Sequence, residues 1–131
     1  MGRRRLTVLG LCLLLVVGAT AAAARSIVGS YRTTISGSAI PALNGSWTVT
    51  FKRSGTYVIA KGGAVVLLGR DRVSGNSISL GHERGPMACS GVEASALYRW
   101  ALSGRKLTMT AIKDRCTGRR LVLTSKALRR T

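Results

Sequence analysis

From Arg25 onward, apolar and polar residues alternate one by one in short runs. Trp47, Val49 and Phe51 interleave with Thr48, Thr50 and Lys52, and Tyr98, Trp100 and Leu102 interleave with Arg99 and Ser103. Leu107 and Met109 alternate with Thr108 and Thr110. Side chains of a strand point to opposite faces with period two, so such runs are half-buried strands. Glycine-bearing turns such as Arg53-Ser54-Gly55, Lys61-Gly62-Gly63, Ser74-Gly75-Asn76 and Ser103-Gly104-Arg105 separate them, as hairpins require.

Eight strands are expected on this pattern. They run over residues 29–36, 46–52, 56–61, 64–72, 77–82, 94–103, 106–113 and 119–128. Residues 38–44, around Pro41, break the pattern and have room for one helical turn. Val65 to Leu68 lacks alternation, which fits a strand buried on both faces or a strand with a bulge. The stretch 83–93, with Gly85, Pro86, Cys89 and Gly91, is irregular. A small all-β fold results: an antiparallel, eight-stranded, up-and-down barrel, because closure removes exposed edges. Such a barrel is either filled by its side chains or holds one small ligand.

Residues 1–24 have the pattern of a signal peptide. Arg3, Arg4 and Arg5 precede an apolar stretch from Leu6 to Val17, and Ala22, Ala23 and Ala24 offer small residues for cleavage. The run is short for a spanning helix. Export follows, with a secreted or extracytoplasmic barrel domain over residues 25–131, by the general or the twin-arginine route. Cys12 belongs to the apolar core of the signal. Cys89 and Cys116 remain, an even pair in an oxidising compartment, and a disulfide between them is expected.

Residues 25–131 carry 18 Lys and Arg against four acids (Asp71, Glu83, Glu93 and Asp114), a net charge of +14. The cations are dispersed, which describes a solvated outer face. They imply non-specific association with anionic polymers or anionic lipid surfaces rather than specific nucleic-acid binding. Tyr98-Arg99-Trp100 looks locally like a stacking platform, but on a strand Arg99 leaves the face that the two rings share.

No catalytic set is visible, so an enzyme is not expected. His82 and Glu83 are adjacent and face opposite ways on a strand. One histidine and two bridged cysteines cannot supply the three or four ligands of a metal site, and no cofactor is implied. Asp114 and Arg119 flank Cys116 and suit a structural ion pair.

Gly45-Ser46-Trp47, Gly55-Thr56-Tyr57, Gly85-Pro86-Met87-Ala88-Cys89, Tyr98-Arg99-Trp100 and Asp114-Arg115-Cys116 before Arg119 occur in that order. In this order and spacing the chain resembles small exported bacterial lipocalin-like (calycin-type) barrels of unassigned function. The resemblance implies that Gly45 and Trp47 mark a closed barrel end, with an arginine packed across the tryptophan. Arg119, Arg120 and Arg129 are the choices. It also implies a monomer that binds a small apolar or amphipathic ligand. The alternative is a basic module for anionic cell-envelope polymers, without a pocket. A ligand would enter opposite Trp47 and touch Tyr57, Ile59, Ile78, Leu80, Tyr98 and Trp100, the inward apolar positions of the middle strands.

Overall fold

A computed structural model describes residues 25–131, and the expected signal peptide lies outside the described residues. The chain is a closed barrel of eight antiparallel strands, each paired with its sequence neighbours. In order these are β1 (Gly29–Ile35), β2 (Gly45–Phe51), β3 (Thr56–Lys61), β4 (Ala64–Ser74), β5 (Ser77–Arg84), β6 (Ala96–Ser103), β7 (Lys106–Asp114) and β8 (Leu128–Arg130). Strand β8 pairs with both β7 and β1, which closes the ring. A 3-10 turn at Pro41–Leu43 fills the break between β1 and β2. Among the described residues no helix is long and apolar enough to cross a membrane.

The alternation survives as burial. Tyr31, Thr33 and Ile35 of β1 are buried, as are Trp47, Val49 and Phe51 of β2, while the residues between them face outward. Burying a large apolar side chain contributes about 1.5–3 kcal/mol, so inward rows from eight strands supply one continuous core. The irregular stretch in β4 is a bulge. Ile59 faces Leu67 and Ala60 faces Val65, so Val66 is the extra residue.

One element differs in kind from the expectation. Residues 119–128 do not form a strand. Thr117–Thr124 is a helix, α1, and only Leu128–Arg130 returns to the sheet. The buried residues of α1 are Arg119, Val122 and Leu123, spaced three and four apart, which is the stripe of a helix. That stripe is hidden in the sequence because its first member is an arginine. A smaller difference lies in β5, which runs on through His82 and Glu83 to Arg84.

The two ends of the barrel are unlike. One end carries only tight turns, at residues 52–55, 75–76 and 104–105. The other carries the long connections 36–44, 85–95 and 115–127, including α1. The functional candidates meet at this second end.

Candidate functional site

Trp47 sits near the long-connection end and is 2 % exposed. Its indole N–H donates to the Leu43 carbonyl at 2.8 Å, so the 3-10 turn satisfies the one polar atom that the ring buries. Gly45, two residues earlier, has φ +138, in the region that glycine enters freely. A Cβ there would stand 3.1 Å from Lys61 Cε. The cation over the Trp47 ring is Lys61, with Nζ 5.7 Å from the centroid.

Arg119 is the buried one of the three arginines considered, but carboxylates hold it. Its Nη1 lies 2.9 Å from Glu83 Oε1, and its Nη2 lies 2.8 Å from Asp114 Oδ1. Nε donates to Asp114 Oδ2 at 3.0 Å, and the remaining donors reach the Glu93 and Ala94 carbonyls. The ion-paired side chains have no solvent exposure. Tyr57 donates its hydroxyl to Glu83, and Tyr98 donates to Asp114. The Cys89 and Cys116 backbone N–H groups donate to the same two carboxylates at 3.0 and 2.9 Å. The Cys89–Cys116 disulfide joins the two loops over this cluster, with Cα atoms 6.1 Å apart. A buried charge is tolerated when paired and hydrogen-bonded on every side, and this one is.

The electrostatics follow. Burial pushes the Asp114 carboxyl up, but hydrogen bonds from Arg119, Tyr98 and Cys116, with the Arg119 charge, outweigh it and hold the group below its ordinary value. Burial, then the hydrogen bond and charge of Glu83, raise the Tyr57 hydroxyl. Tyr98 is raised the same way, with Asp114 as its carboxylate. Both tyrosines therefore stay protonated donors across the neutral range.

The expected ligand-wall residues are all accounted for. Tyr57, Ile59, Ile78, Leu80 and Tyr98 are buried in the core, and Trp100 is half-buried against it. Tyr57 crosses β4 over Gly69, where an added Cβ would lie 2.5 Å from the ring. An apolar cavity touching Ile59, Trp47, Met87, Arg119 and Val122 measures about 40 Å³. That is room on the scale of a water molecule, far below the roughly 300–1,000 Å³ of small-molecule pockets. The tight-turn end, where a mouth is expected, is filled by Ile27, Tyr31, Phe51, Leu107 and Leu128, all buried. Among the described residues no group of three His, Cys, Asp or Glu side chains assembles as metal ligands.

The outer surface has the opposite character. Arg119 is the one buried cation of the 18 in residues 25–131, which leaves 17 at the surface. Glu83 and Asp114 are turned inward onto Arg119, so two of the four acids are withdrawn from that surface. Glu93 is exposed and Asp71 is partly covered, its carboxyl raised by burial. No family model, curated protein or solved structure matches this chain.

The sequence pairs Asp114 with Arg119 but does not disclose Glu83 as the second carboxylate. On the alternation the strand ends at His82, and Glu83 falls in the irregular stretch 83–93. The signal available was the histidine–carboxylate step itself, since adjacent strand residues face opposite ways.

Proposed function

We propose that this chain is an exported, monomeric, lipocalin-like barrel that works through its outer surface, as a basic module that binds anionic polymers of the cell envelope. The observation that carries the reading is the sorting of charge. Two of the four acids are turned inside onto Arg119, while 17 cations stay outside. A surface of one sign raises the local concentration of oppositely charged polymers and speeds their capture. The packed interior supports the same reading, because it gives the outer face a rigid frame. On this reading the module binds and does not catalyse.

The test is equilibrium binding of residues 25–131 to polyphosphate, polyglutamate and neutral dextran at several ionic strengths. Both charged polymers should bind at low salt, with affinity falling steeply as the Debye length shrinks to about 8 Å. Absence of binding at low salt, or equal binding to dextran, overturns the proposal.

A second reading rests on the apolar cavity beside Trp47. Met87 forms part of its wall and is also partly exposed, so withdrawal of this flexible side chain would both open the cavity and enlarge it beyond its water-sized volume for a small apolar ligand. That ligand would enter at the Trp47 end.

A further inference from the structure

The ladder between β4 and β5 breaks at one place. Leu68 faces Arg84 and Arg70 faces Gly81. Between these pairs β4 has Gly69 alone, whereas β5 has both His82 and Glu83. The extra residue makes a bulge, and bulges re-aim side chains. Here Glu83 turns inward to Arg119, and His82 is exposed with φ +50. His82 is the one non-glycine residue with positive φ among the described residues. Such a conformation has an energetic cost and is concentrated at functional sites.

Outside the bulge lies a groove of about 500 Å³, lined by Lys52, Thr56, Leu68, Arg70, His82 and Arg84 with the Gly69 backbone. No carboxylate lines it. Among the described residues, the Lys52, Arg70 and Arg84 side chains make no ion pair and no hydrogen bond. A second groove of about 490 Å³ shares Arg70 and His82 and continues to Arg72, Ser79 and Ser95, with the half-buried Asp71 as the one acid on its wall. The two form one track across β3, β4 and β5.

Resting on the polymer-binding function above, we propose that this track is the specific seat of a phosphate-bearing polymer, with a phosphate group held between Arg70 and Arg84. Guanidinium forks match the oxygens of phosphate in pairs, and Lys52 adds a point charge on the same rim. Two connected grooves fit successive phosphates of one chain, which distinguishes a polymer from free phosphate.

The experiment compares two charge-matched double variants. One is Arg70→Gln with Arg84→Gln. The other is Arg32→Gln with Arg129→Gln, which face each other across β1 and β8 on the far side of the ring and line a smaller groove of about 280 Å³ with Lys126. All four side chains lie outside the core, and thermal unfolding is the check that both variants fold. Binding of polyphosphate, polyglutamate and inorganic phosphate is measured for each. The groove variant should lose polyphosphate affinity by about tenfold or more, as expected for losing two charged hydrogen-bond partners. The control pair should lose under about threefold, the scale of screened long-range charge. Wild type should prefer polyphosphate to polyglutamate of equal charge, and inorganic phosphate should compete only weakly. Equal losses in the two variants overturn the groove and leave diffuse polymer binding standing. Equal affinity for the two polymers overturns the phosphate assignment, and full competition by inorganic phosphate overturns the polymer track. A wild type that binds no polymer overturns the function itself.

Discussion

Each end of the barrel joins an arginine to tyrosine, and the two ends do it differently. At the long-connection end Arg119 reaches Tyr57 and Tyr98 through Glu83 and Asp114, out of contact with solvent. At the tight-turn end Arg130 lies over the Tyr31 ring, 5.4 Å from its centroid, and donates to the Tyr31 hydroxyl at 3.1 Å and the Val28 carbonyl at 2.8 Å. Arg130 has no carboxylate partner and is half-exposed. Burial of ions makes the first arrangement all-or-none, because any missing member strands a charge. The second is a packed aromatic end with a cation laid across it, so its arginine is optional.

The largest effect should come from Arg119→Ala. It leaves Glu83 and Asp114 buried without their cation, and removing one partner of such a pair costs about 3–5 kcal/mol. Urea unfolding should show that loss, and one under about 1 kcal/mol would mean the network relaxes into water. A smaller effect should appear in acid. Asp114 is held below its ordinary 3.8 in the folded chain. Its contribution is therefore fully present above the unfolded value and is lost as pH falls through the folded one. Unfolding measured from pH 6 down should show this loss in wild type and a shallower one in Asp114→Asn. Identical slopes would remove Asp114 from the account. The smallest effect belongs to Arg130→Gln, which should change stability by under about 1 kcal/mol, as for exposed charged contacts. A loss equal to that of Arg119→Ala would erase the distinction between the ends.

The same contrast explains what the sequence discloses. Strand positions are local, and β3 lies over Thr56–Lys61 as the alternation implies. The tight-turn end is built from such strands and short glycine turns, so it follows from neighbours in the chain. The long-connection end does not. Leu121, Val122 and Leu123 read as one more apolar run, and only the buried Arg119 completes the helical stripe. Glu83 and Arg119 meet because a bulge turns one of them and a disulfide holds the other's loop. Neither event leaves a local pattern. Trp47 as a buried end and the Cys89–Cys116 bridge were legible, the first from strand alternation beside a Gly-x-Trp motif, the second from counting.

Strand β8 is only three residues long, yet it determines when the ring exists. It joins Arg130 to Tyr31, 99 positions away, so closure brings together almost the whole described chain. Contacts this distant are entropically late, because the loop must close before they form. Until Leu128–Arg130 is in place, β1 and β7 each have a row of unpaired backbone donors and acceptors along one side. Such rows pair with any passing strand, including the same strand of another copy. A chain interrupted a few residues short of Leu128 would retain nearly all of its core positions and still be a sheet with two open sides. For this protein the hazard of misassembly is concentrated in the interval between making β7 and delivering β8.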